Sequence, residues 1–166
     1  IMFGLNMVVY KGKTIFVGDT SVNEYPSSEE LAEIAISSAR VVKLFGFIPK
    51  VAFVSHSTFG QPLTSRTKHI KKAVDILKNK DVDFEFDGDM QPDVALNEEY
   101  KELYPFSNIV GNANILIMPG QHSAAISYKM MKSLGETKVI GPLLIGLGQP
   151  IEIAPLRSST SEIINL

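Results

Sequence analysis

Apolar residues change their spacing several times along the chain, and each spacing predicts a different element. "MVVYKGKTIFVGDT", from Met7, predicts two short strands around a turn at Gly12. "YPSSEELAEIAISSARVVKLFGFIP" switches to helical spacing, with Leu31, Ile34, Ala35, Ser38 and Val42 on one face. Ser27 and Glu30 have capping-box spacing at its start, and Gly46 with Pro49 stops it. "KVAFVSHS" predicts a buried strand, and the polar loop "TFGQPLTS" leads to a second helix with Ile70, Ala73, Val74 and Leu77 on one face. "VDFEFDGDM" alternates as a strand, with Gly88 expected in a turn. "PDVALNEEYKELYP" predicts one shorter helix between two prolines. "ANILIMPG" is a further buried strand, "QHSAAISYKMMKSLG" a helix closed by Gly135, and "GPLLIGLGQP" a last extended run.

Strands alternating with helices predict one α/β domain, a three-layer sandwich around a mostly parallel, mixed sheet whose first hairpin adds the antiparallel part. In such sheets ligands lie beyond the carboxyl ends of the strands. Three predicted ends carry small or polar residues: Ser55-His56-Ser57-Thr58, Pro119-Gly120-Gln121-His122-Ser123 and Gly146-Leu147-Gly148-Gln149. Their convergence would give a pocket rich in hydroxyls and backbone N–H groups.

Composition narrows the choices. The 166 residues carry a net charge of −2 with no basic block, so nucleic acid is not an expected partner. The absence of cysteine removes disulfides and thiolate chemistry and fits a cytoplasmic setting. No apolar run approaches the roughly 20 residues a membrane span needs, and no secretory signal opens the chain. Ile1 at the start, and a helix-start pattern of Ser159 and Glu162 close to the last residue, lead to the expectation of a fragment of a longer chain.

Each chemical candidate has a structural alternative. The Ser55–Gly60 loop suits phosphate, or Ser and Thr simply cap a turn. His56 is a candidate base for Ser55 or Ser57, oriented by Asp19 or Asp89; neighbours on a strand point to opposite faces, and no G-x-S-x-G elbow occurs. The three histidines have no metal-ligand spacing, and neither nucleotide-binding glycine motif is present. The carboxylates of "DFEFDGDM" suit a cation, or solvent-facing charge at a strand end. Arg157, followed by Ser158, Ser159 and Thr160 at a helix start, suits an anion or is a surface arginine beside a cap. Met130 and Met131 suit a dimer seam, or core packing.

Four stretches together carry a resemblance: "VNEYPSSEELAEIAISSARVVKLFGFIPKVAFVSHSTFG", "FDGDMQPDVAL", "NILIMPGQHSAAISYKMMKSLG" and "GPLLIGLGQPIEIAPLRSST". In this order they resemble the second half of phosphate acetyl/butyryltransferases. The Thr20-Ser21-Val22-Asn23-Glu24 opening is similar to the transferase-like domain closing large bacterial NADP-dependent malic enzymes.

The resemblance implies an isocitrate/isopropylmalate dehydrogenase-like fold and a phosphotransacetylase-like domain over 1–166, the second half of the family unit. It implies an acyl-CoA or phosphate ligand, acetyl-CoA as effector, and a homodimer through this domain. It implies a malic-enzyme domain elsewhere in the parent, which alone would hold NADP and a divalent metal. Ligand-binding residues expected on these grounds are Ser55, Ser57, Thr58, Gly120, Gln121, Ser123, Gly148, Gln149, Arg157, Ser158, Ser159 and Thr160, with no metal and no cofactor bound. Active relatives carry Asp-Leu-Ser-Arg-Gly after the Gly-Leu-x-x-Pro motif, here Gly146 to Pro150. The arginine falls on Arg157, but the serine falls on Leu156, the glycine on Ser158 and the following helix's acid at about Ile163. The resemblance thus implies a site that keeps its cation and loses its catalytic hydroxyl and carboxylate.

Overall fold

The computed structural model describes residues 1–149 and 151–164. The Pro150 end of the last extended run, and Asn165 and Leu166 of the closing helical pattern, lie outside the described residues. The strands are β1 (Phe3–Tyr10), β2 (Lys13–Gly18), β3 (Lys50–Val54), β4 (Glu85–Met90), β5 (Ile115–Ile117) and β6 (Lys138–Ile145). They form one six-stranded sheet in the order β4-β3-β5-β2-β1-β6. β4, β3, β5 and β2 are parallel neighbours, and β1 pairs antiparallel with both β2 and β6, so β1 alone runs against the rest.

Strand alternation builds a core on each face of the sheet. Phe16, Val51, Phe53, Ile115 and Ile117 point to one face and pack on α1 (Ser28–Leu44) and α2 (Ser65–Lys78). Val17, Ala52, Val54, Leu116 and Met118 point to the other, beneath α3 (Pro92–Leu96), α4 (Glu98–Lys101) and α5 (Gln121–Leu134). The result is the three-layer mixed α/β sandwich that the strand–helix alternation predicts.

Local chemistry sets the helix starts. Ser27 Oγ accepts from Glu30 N (3.1 Å) while Glu30 accepts from Ser27 N (2.7 Å), a complete capping box. Thr64 and Thr67 make a second, at 3.2 and 2.8 Å, where the stretch "TFGQPLTS" predicts only loop.

The structure corrects several boundaries. Gly88 lies within β4, at a register shift against β3, and not in a turn. Its φ is +152°, and a Cβ there would lie 2.7 Å from Phe53 Cβ, so both conformation and space call for glycine. The single helix expected after Pro92 is two, because Asn97 is extended and its side chain caps Glu99 N at 3.1 Å. Asp87 and Asp89 of "DFEFDGDM" are buried, not solvent-facing. Met131 packs against the second core, whereas Met130 is exposed. Among the described residues no helix is long and apolar enough to cross a membrane.

Beyond β6 the chain turns back. Glu152 bridges antiparallel to Leu143, and α6 (Thr160–Ile164) docks Glu162 on Lys132 of α5 at 3.0 Å. The Ser159 amide, then Lys132 and the Ser159 hydroxyl, hold the Glu162 carboxyl down to about 2, from an ordinary 4.5. A carboxyl lowered on folding stabilises the cap fully above the ordinary value, and that support is lost as pH falls toward the lowered one. The Glu162 side-chain resonance is therefore expected to titrate near pH 2, with α6 released from α5 in the same range; a midpoint near 4.5 would contradict this docking.

Candidate functional site

Two buried carboxylates organise the sheet edge where β2, β3, β4 and β5 end. Asp19 follows β2 and is 1% exposed. Its Oδ1 accepts from Gly4 N (2.7 Å), Ser21 N (2.9 Å) and Val22 N (3.2 Å); its Oδ2 accepts from Asn23 N (2.6 Å) and Asn23 Nδ2 (2.5 Å). The loop so fixed meets the start of α5: Gln121 N donates to Asn23 O at 2.9 Å. Glu24 O comes so close that a Cβ on Gly120 would lie 2.3 Å from it. Gly120 is extended, so it is this close approach that requires glycine.

Asp89, also 1% exposed, anchors the loop after β3. Ser55 Oγ donates to it at 3.1 Å, Gly60 N at 3.0 Å, and Ser57 Oγ through a short bond. Thr58 Oγ1 accepts from Gln91 N at 3.2 Å. Ser57 and Thr58 thus lie beneath the surface as struts.

Above these struts opens a cleft of two adjoining chambers. One, of about 260 Å³, is lined by Ser55, His56, Arg66, Met118, Pro119 and Ser123 among others. The other, of about 440 Å³, is lined by Tyr25, Pro26, Glu30, Arg66, His69 and Pro119 among others. Arg66 and Pro119 border both. His69 is fixed by Pro26 O at 2.8 Å and lies 3.1 Å from Ser28 Oγ, so that wall is rigid. Ser123 Oγ donates to Gly120 O at 2.9 Å, which ties this lining residue to the start of α5.

Of the twelve residues expected to bind ligand, Ser55 and Ser123 line this cleft, with Gly120 and Gln121 joining it to the Asp19 loop. Gly148 and Gln149 line neither chamber; the end of β6 packs instead against the N-terminus, where a Cβ on Gly146 would lie 2.1 Å from Ile1 O. The Arg157 corner is at the opposite edge of the sheet. Pro155, Ser158 and Ser161 pack with Thr137, Lys138 and Val139, at the start of β6, and Leu156 is fully exposed. The backward run of the chain after β6 carries them there. Arg66, His69 and Tyr25 were not anticipated. The cap-like run Thr64-Ser65-Arg66-Thr67 was the available signal, since it combines hydroxyls and an arginine at a helix start as the Arg157 stretch does.

The Ser55 and Ser57 hydroxyls donate to Asp89 directly, and the exposed His56 stands in no hydrogen bond with either among the described residues, so the Ser–His–Asp alternative has no geometry behind it. Among the described residues no three His, Asp or Glu side chains gather as metal ligands.

A three-layer mixed α/β sheet with a cleft at its carboxyl edge defines a class of ligand-binding domains. Within that class the chain belongs to the phosphate acetyl/butyryl transferase family: residues 1–166 match the family described as "Phosphate acetyl/butaryl transferase". It is similar to the NADP-dependent malic enzyme of Rhizobium meliloti (strain 1021), 46% identical over 165 residues that make up 99% of this chain and 22% of that enzyme. It is similar to the phosphate acetyltransferase of Clostridium acetobutylicum, 37% identical over 92% of this chain and 46% of the relative. The EutD phosphotransacetylase from Staphylococcus aureus shares the fold with a TM-score of 0.92 at 28% identity, covering 99% of this chain and 52% of that one. The chain spans about a fifth of the malic enzyme's length, 22%, and about half of the two transferases.

Proposed function

We propose that this chain is the phosphotransacetylase-like domain of an NADP-dependent malic enzyme, and that it binds acetyl-CoA or a related acyl-CoA without transferring the acyl group. One observation carries this reading. The strand-edge cleft offers a cation and largely apolar walls, yet its Ser55 hydroxyl is committed to Asp89 and its Ser123 hydroxyl to Gly120 O, and among the described residues neither bonds a histidine. Binding needs shape and donors, whereas transfer needs groups set against the transition state. Leu156, exposed at the far edge where the resemblance expects a serine, adds no hydroxyl. Losing an acid–base group lowers a rate by roughly 10²–10⁴.

In this reading the parent converts malate to pyruvate and CO2 with NADP, in a part of the protein that also holds the divalent metal. Acyl-CoA at this domain is its effector. A dimer through this domain is a compatible second role, favoured by Ile126, Met130 and Leu134, which lie exposed at helical spacing along α5. The test is malate-dependent NADP reduction by the full-length protein with and without acetyl-CoA. A shift in rate or malate dependence is expected; for the binding steps linkage requires malate to change acetyl-CoA affinity by the same factor. Kinetics indifferent to saturating acetyl-CoA would contradict the regulatory role.

A further inference from the structure

We infer that Arg66, and not Arg157, is the cation through which this domain reads the phosphate groups of its ligand; the inference rests on the binding role proposed above. Arg66 borders both chambers of the cleft, and among the described residues its guanidinium has no acidic partner and no hydrogen bond. Two carboxylates of this edge are already engaged. Glu30, in the larger chamber, accepts Ser27 N in its capping box, and Asp89 accepts Ser55, Ser57 and Gly60. A solvated guanidinium at the mouth of a concave site, with no ion-pair partner among the described residues, is set for a phosphate from outside, which it can grip with two parallel N–H donors.

The walls describe the rest of the ligand. Tyr25, Pro26, Met118 and Pro119 give the two chambers apolar surface on either side of Arg66. Such a pocket suits a molecule with a phosphorylated end and a long, weakly polar arm. A phosphorylated thioester carrier such as acyl-CoA meets that description; inorganic pyrophosphate meets only the anionic half. Arg157 has no part in this cleft, since its segment packs at the start of β6 on the far edge of the sheet.

The experiment is calorimetric titration of wild-type, Arg66→Ala, Arg66→Lys and Arg157→Ala chains with three probes: acetyl-CoA, pyrophosphate, and S-acetylpantetheine, which has the arm and thioester but no phosphate. Arg66 is exposed, so its replacement leaves the core intact, and thermal unfolding of each variant confirms this. Arg66→Ala is expected to weaken acetyl-CoA and pyrophosphate about ten-fold or more, with Arg66→Lys between it and wild type, and to leave S-acetylpantetheine unchanged. Equal affinity of Arg66→Ala and wild type for acetyl-CoA, or loss in Arg157→Ala alone, overturns the assignment while leaving acyl-CoA binding in place. Arg66-dependent binding of pyrophosphate without binding of acetyl-CoA supports Arg66 as the phosphate-reading cation and removes the effector reading. No binding of any probe by the wild type overturns both.

Discussion

Asp19→Ala is expected to lower the unfolding free energy by about 4 kcal/mol. The side chain is an acceptor for four backbone amides and one side-chain amide, drawn from β1 and from the loop after β2. Alanine leaves these donors facing a small void, and each buried donor without a partner costs ~1–3 kcal/mol before relaxation. Water reaching the outer amides recovers part of that sum, which is why the expected figure is far below a full total. Denaturant unfolding measures it directly. The Asn23–Gln121 contact depends on the same loop, so the start of α5 should lose amide protection as well. A change below about 1 kcal/mol would mean that the carboxylate does not organise this edge.

The second large effect is expected at Asp89. Asp89→Ala strands the Ser55 and Ser57 hydroxyls and the Gly60 amide, for a loss of about 3 kcal/mol. Unlike Asp19, Asp89 supports the loop that carries Ser55 and His56 into the cleft, so acetyl-CoA affinity should fall together with stability. Asp89→Asn keeps the volume and one accepting oxygen, and should retain more of both. Unfolding and titration on the same samples separate the outcomes: a stable Asp89→Ala chain with wild-type affinity would show that the loop needs no anchor.

Both aspartates were legible in the sequence as candidate orienters of a catalytic histidine, and Asp89 also as one of the clustered carboxylates of "DFEFDGDM". Their real partners are backbone amides and serine hydroxyls, some more than 30 residues away: Asp89 bonds Ser55 and Ser57 at separations of 34 and 32. Nothing in local spacing encodes such pairings. What is local was readable. The Ser27–Glu30 capping box, the α1 stripe and the apolar density of β3 and β5 each follow from neighbours close in sequence. The sheet's mixed character followed from the tight hairpin at Gly12. The Arg157 stretch was misplaced for the opposite reason. Its residue types suit an anion, but the antiparallel return of Glu152 onto Leu143 decides where it sits, and that contact is tertiary. Arg66 was missed although its cap has the same ingredients, because a polar loop before a helix gives no sign of which cavity it will face.

In the proposed reading the strand-edge cleft holds acyl-CoA and does not turn it over. Acetyl-CoA at saturating concentration, incubated with inorganic phosphate and the purified protein, tests it most directly when acetyl phosphate and free CoA are followed together. Saturable binding with no acetyl phosphate above the uncatalysed background is the expected result. Formation of acetyl phosphate and CoA in equal amounts, at turnover typical of enzymes, about 1–10³ s⁻¹, would contradict it.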